Sequence, residues 1–128
     1  MADERLVERI FKFGGEKIIE EHRKNSAPSI IIDLMGAKLG GADLRGTDLS
    51  GIYLVETDFG HANLAGADLS DSFLDRADFT MANLTNVKVD PAKLAESHFT
   101  QARMSNKLFK DTLLAFEEMR KRRGLNKK

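Results

Sequence analysis

The chain is 128 residues long, balances 20 acidic against 20 basic side chains, and contains no cysteine. A disulfide framework and thiol chemistry are thereby excluded, and the length fits one domain. No apolar run approaches the roughly 18 residues of a membrane-spanning helix, and no signal-peptide core is visible, so a soluble, cytoplasmic protein is expected.

Residues 1–31 carry six charges of each sign and read as helical. Leu6, Val7, Ile10 and Phe11 fall on one helical face, and Ile18 and Ile19 follow Gly14-Gly15. That glycine pair is expected to divide the segment into two short helices, because glycine is costly inside one.

From Ile32 to Asn106 a five-residue pattern repeats fifteen times without insertion. Ala42-Asp43-Leu44, Ala62-Asn63-Leu64, Ala67-Asp68-Leu69, Ala77-Asp78-Phe79 and Ala82-Asn83-Leu84 show it most clearly. A large apolar residue recurs every five positions from Leu34 to Met104 and is always Leu, Phe, Val or Met. On an α-helix, residues five apart sit about 140° around the axis and form no face. On a strand, an odd spacing alternates sides. A chain that turns a corner in every pentad can instead send the large residue, and the small one two before it, into a common core. Short-period repeats of this kind build solenoids.

These units resemble the pentapeptide-repeat family, whose motif is Ala-(Asp/Asn)-Leu-x-x. The resemblance implies an all-β solenoid: a right-handed, quadrilateral parallel β-helix with twenty residues per coil, about four coils here, and α-helical caps at both ends. Residues twenty apart would then stack. Phe59, Phe79 and Phe99 would form one core column, Leu34, Leu54, Leu74 and Leu94 a second, and Ala42, Ala62, Ala82 and Ala102 a third. At roughly 4.8 Å per stacked strand the rod would be about 18 Å long. Val87-Lys88-Val89-Asp90-Pro91 is the weakest unit, because Val87 is large for its slot and Pro91 lacks a ladder donor, so an irregular corner is expected there. Ile32 and Ile52 also fill small slots and are expected to splay their wall.

Residues 107–128 follow as a helix of about four turns ending in a basic tail. Leu108, Phe109, Thr112, Leu113, Phe116 and Met119 make a broad stripe that serves either as an end cap or as a homodimer contact. Charge is unevenly placed: the repeats hold 11 acidic and six basic residues, whereas residues 107–128 hold three acidic and eight basic.

Chemistry is hard to find. His22, His61 and His98 lie on different parts of the chain at no metal-ligand spacing, and no glycine-rich phosphate loop is present. Asp48 above Asp68, and Asp58 above Asp78, follow from the motif and suggest no catalytic pair. No cofactor, no metal and no enzyme activity are expected. The outward column Asp33, Tyr53, Phe73, Lys93 is the exception on the surface. Tyr53 and Phe73, with Met35 and Val55 beside them, form a candidate protein-contact patch, unless a terminal helix covers it. Asp43, Asn63, Asn83 and Arg103 form a second column whose amides could bond to one another.

The expected function is therefore a rigid, non-catalytic interaction module for a protein partner whose identity the sequence does not carry. Direct nucleic-acid binding is not expected of the basic tail. The alternative is a DNA mimic of the quinolone-resistance type that binds type II topoisomerase. Asp48, Asp58, Asp68, Asp75 and Asp78 would then stand in for phosphates. Duplex DNA of this length carries on the order of ten charges; the repeats carry a net of −5, interrupted by Lys38, Arg45, Arg76, Lys88, Lys93 and Arg103.

Overall fold

A computed structural model describes residues 2–27 and 31–124. Helix α1 spans Glu4–Phe13 and α2 spans Gly15–Lys24; a single turn, α3, spans Pro91–Leu94, and α4 spans Asn106–Arg122. Asp3 starts α1 by accepting a hydrogen bond from the Arg5 N–H, and Gly14, at φ 88°, both ends α1 and precedes α2. The Gly14-Gly15 break therefore falls where the sequence suggested.

Apart from the pentads at Val89 and Leu94, which α3 interrupts, the complete pentads share one local geometry. In the pentad at Leu34, the Leu34 carbonyl accepts the Ala37 N–H at 2.9 Å, closing a β-turn, and the third turn residue, Gly36, has φ 71°. The polar residue before the apolar one folds its side chain back on the backbone: Asp58 Oδ1 accepts the Gly60 N–H at 2.8 Å, and Asn63 Oδ1 the Ala65 N–H at 3.1 Å. Both devices are what short polar side chains and left-handed residues do in turns. The motif is thus a turn repeated every five residues, with the small and the large residue pointing inward.

The polar residue also forms a parallel bridge to its counterpart twenty positions on. Asp33 pairs with Tyr53, Lys38 with Asp58, Asp43 with Asn63 and Asp48 with Asp68, and the pattern continues to Asn83 with Arg103. Four bridge columns thus accompany each 20-residue coil. We call the faces A, B, C and D, with Leu34, Leu39, Leu44 and Leu49 as their first core residues. One point departs from an all-β expectation: among the described residues the bridges are isolated, and the continuous elements are the helices. With a turn in every pentad, the pairing between coils is interrupted before it can extend into a continuous strand.

The interior follows the period. Leu34, Leu54, Leu74 and Leu94 are buried, as are Phe59 and Phe79 and the small Ala42, Ala62 and Ala82. Phe99 and Ala102 are only partly buried, because no further coil lies beneath them. Face A is not splayed at its isoleucines. Ile32 and Ile52 are buried, and the Tyr53 and Phe73 N–H groups reach the Ile32 and Ile52 carbonyls at 3.0 and 3.1 Å. The ladder breaks instead at Pro91. Asp90 caps α3 through the Ala92 N–H, and no bridge joins Phe73 to Lys93. Proline at the first helical position has no donor to lose there, so the irregular corner becomes a helical turn.

The first coil has no coil above it to donate to its carbonyls. Lower down, the Asn63, Asp68 and Ser70 carbonyls accept N–H groups from Leu44, Leu49 and Gly51. In the first coil, α2 supplies the donors. The Gly15 N–H reaches the Asp43 carbonyl at 2.9 Å, and Arg23 Nη2 reaches those of Asp48 and Ser50 at 3.0 and 2.7 Å. Ile18 and Ile19 are buried in the same packing.

Candidate docking surfaces

Face A carries the expected aromatic pair. The Tyr53 and Phe73 rings meet edge to face with centroids 5.4 Å apart. Lys93 extends the column: its Nζ lies 5.4 Å from the Phe73 centroid and donates to the Ser72 carbonyl at 2.7 Å. Phe73 remains 44% exposed, so no terminal helix covers it. Tyr53 and Met35 are half-buried. Val55 departs from its expected role, being only 8% exposed. It occupies the column of Met35 in the coil above and Asp75 in the coil below, and at that exposure it leaves a partner little to touch. At the adjoining corner Arg76 pairs with Glu56 at 3.6 Å across two coils.

Helix α4 splits its apolar stripe. Thr112 is fully buried, and Leu108 packs against the core. Met119 lines a cleft with Ala92 and Glu96, on the same side of the helix. Phe109, Leu113 and Phe116 lie further round and stay 47%, 42% and 37% exposed. The stripe is wider than the rod end needs. Leu114, exposed on the far side, was not singled out by the periodicity. In α1 only Leu6 and Ile10 are buried; Phe11, expected on their face, is exposed because it lies about 100° beyond Ile10. Phe13 and Met81 are further exposed apolar residues that the repeat pattern gave no means of ranking.

The eight-copy pentapeptide-repeat model matches residues 32–51 and 52–89. The chain carries pentapeptide repeats. Two solved pentapeptide-repeat proteins are similar to it. One is Rfr23 from the cyanobacterium Cyanothece 51142, 28% identical over 59% of this chain and 51% of its own, with a TM-score of 0.29. The other is HetL from Nostoc sp. strain PCC 7120, involved in heterocyst differentiation regulation, 25% identical over 56% of this chain and 42% of its own, with a TM-score of 0.28. The matched part thus spans about half of Rfr23 and less of HetL. A search of curated proteins returns no match.

The acidic columns of the pentapeptide-repeat rod are engaged locally. Hydrogen bonds from the Thr80 hydroxyl and N–H hold the Asp78 carboxyl below the usual range, and those from Ser70 do the same for Asp68. Arg45 clamps Asp43 through two contacts of 2.8 Å, which likewise lowers its carboxyl. Asn63 and Asn83 also bond their own turns, through the Ala65 and Thr85 N–H groups, rather than each other along the column. Among the described residues no group of three His, Asp or Glu side chains is placed to hold a metal, and no helix is long and apolar enough to cross a membrane.

Proposed function

We propose that the chain is a non-catalytic interaction module of the cytoplasm, in which a pentapeptide-repeat rod presents face A to a protein partner. On this reading the rod is a right-handed, four-sided β-helix of about four coils, with α1–α2 and α4 as its caps. The supporting observation is the exposed Phe73 edge-packed on Tyr53, in a column position that other faces fill mainly with Asp, Asn, Lys or His. Aromatic rings held rigidly on a flat surface contribute contact area at little entropic cost.

Capture with the wild-type chain beside Phe73→Ser tests the reading. A partner retained by the first and lost by the second supports it; equal capture moves the contact elsewhere. A second reading draws on α4, whose exposed Phe109, Leu113 and Phe116 offer a homodimer contact. The DNA-mimic alternative requires free acids in a band. Asp43 is instead held by Arg45, Glu56 by Arg76, and Asp48 lies 3.7 Å from Arg23. A mimic would inhibit topoisomerase supercoiling and lose that effect when Asp48, Asp58, Asp68, Asp75 and Asp78 become Asn.

A further inference from the structure

We propose that face A docks onto face A of a second copy of this chain, with the two rods antiparallel. The proposal rests on the reading of face A as a docking surface and names its occupant. Down the face, the bridge column reads Asp33, Tyr53, Phe73, Lys93, and the corner column beside it Gly36, Glu56, Arg76, Glu96. Consecutive members are one coil apart: bridges join Asp33 to Tyr53 and Tyr53 to Phe73, and the Arg76 N–H reaches the Glu96 carbonyl at 3.2 Å.

Consider a two-fold axis perpendicular to the rod, lying along the run of the chain across face A, midway between the second and third coils. It reverses each column while keeping it opposite itself. Tyr53 then meets the second copy's Phe73, and Phe73 its Tyr53. The Glu56–Arg76 pair, 3.6 Å apart within one copy, meets the same pair reversed, so each charge gains a second opposite neighbour, while Asp33 falls opposite Lys93. Aromatic rings face aromatic rings, and every charge just named faces its opposite. A parallel arrangement with its axis down the corner column would instead set Glu56 on Glu56 and Arg76 on Arg76, so at that column the charges favour the antiparallel orientation. An isologous contact of this kind closes on itself and gives a dimer, not a fibre.

The other faces lack the combination of an aromatic pair with opposed charges, although reversal of face D would also bring Asp68 to Lys88. Reversal of face B sets Asp58 on Asp78. Face C would bring Asp43 to Arg103, but only Asn63 and Asn83 lie between. Face A is also small. Three coil steps of about 4.8 Å make it about 14 Å tall, well below a standard interface, so the dimer is weak and concentration-dependent.

The chain holds one tyrosine and no tryptophan, so its emission reports on Tyr53 alone. Sedimentation velocity and tyrosine emission would be followed on dilution from about 0.5 mM, where a contact of this size is populated. Wild type is expected to pass from dimer to monomer with a change in emission. Glu56→Arg and Arg76→Glu, both at exposed positions, should each self-associate about tenfold more weakly while keeping the wild-type circular dichroism. Their equimolar mixture should associate again, because in the antiparallel register each reversed charge meets its complement on the other variant. The proposal is overturned by a chain that stays monomeric, by mass insensitive to either reversal, by a mixture that fails to associate, or by a dimer lost only on Phe109→Ser with Leu113→Ser. Monomeric behaviour would leave face A open to a different protein, which the Phe73→Ser capture comparison reads separately.

Discussion

Phe59 and Phe79, twenty residues apart in sequence, stack inside the rod with centroids 5.1 Å apart and ring planes within 6° of parallel. Outside, Tyr53 and Phe73 are also one coil apart but meet at 61°. Inside, the rings follow the repeat and are fully buried in the apolar core; outside, they are free to tilt into the edge-to-face geometry that aromatic quadrupoles prefer.

That contrast gives the first prediction. Phe79→Ala should lower the unfolding free energy by about 3–5 kcal/mol, since it opens a cavity in a core of stacked coils that cannot collapse independently. Phe73→Ala should cost less than about 1.5 kcal/mol, the scale of one surface aromatic pair. Urea titrations followed by circular dichroism would measure both.

Gly15 carries the second. A Cβ there would meet Leu44 Cδ2 at 2.4 Å and Thr47 Oγ1 at 3.0 Å, while its N–H must stay on the Asp43 carbonyl. Gly15→Ala would normally favour a helix, yet here it should destabilise by about 1–3 kcal/mol, because it wedges α2 off the first coil. Arg23→Met should weaken the same contact by leaving the Asp48 and Ser50 carbonyls without their donor. A lowered urea midpoint for Gly15→Ala would check the first, and amide exchange in the first coil the second.

The turns carry the third. Met81 sits at φ 58° with its side chain 48% exposed, a left-handed position that Gly41, Gly46, Gly51 and Gly66 occupy in other units. Met81→Gly should relieve roughly 1–2 kcal/mol of backbone strain, part of it offset by the freer unfolded chain. A net gain of about 0.5–1 kcal/mol in thermal unfolding is expected. Gly51→Ala, at φ 68° with open space around its Cβ, should lose about as much through strain alone.

Two inward threonines supply the fourth. Thr57 Oγ1 donates to the Leu34 carbonyl at 2.7 Å, whereas Thr47 Oγ1 is buried beneath α2 without a partner. Thr57→Val should cost about 1 kcal/mol, and Thr47→Val should be neutral or stabilising, because it removes an unsatisfied hydroxyl at nearly constant volume. A lowered urea midpoint for Thr57→Val beside an unchanged or raised one for Thr47→Val would confirm the difference between the two sites.

Much of the rod was legible because a period of five, with residue types sorted every twenty, leaves few ways to build one core. The stacking of Phe59 on Phe79 and of Tyr53 on Phe73 follows from that register alone. The ends were less legible. The stripe of α4 spans Leu108 to Met119, but helical periodicity cannot say that Thr112 turns inward while Phe116 stays outside. Nor can it show that Phe99, in the last coil, lacks cover. Pro91 announced a disturbance, yet its form as a helical turn depended on Asp90 being placed to cap it. At Val55 the column position was legible, but how deep a short β-branched side chain sits between its neighbours was not.

The acid limb of stability gives the last prediction. Asp43, Asp68 and Asp78 have folded-state carboxyls below their ordinary values, chiefly because the Arg45 side chain and the Ser70 and Thr80 hydroxyls donate to them, with the backbone N–H groups second. Such groups bind fewer protons folded than unfolded. Their contribution is therefore complete above the unfolded pKa, near 3.9, and is lost as pH falls through the lower folded values. The urea midpoint should stay flat from about pH 7 to about pH 5 and then decline. Asparagine keeps the turn-closing acceptor, as Asn63 and Asn83 already do at this position on face C. Replacing Asp43, Asp68 and Asp78 with Asn should thus preserve the fold at neutral pH and flatten the decline below about pH 4. An unchanged acid limb would place the loss of stability in other carboxylates, whereas unfolding at neutral pH would show that the turns need charge as well as an acceptor.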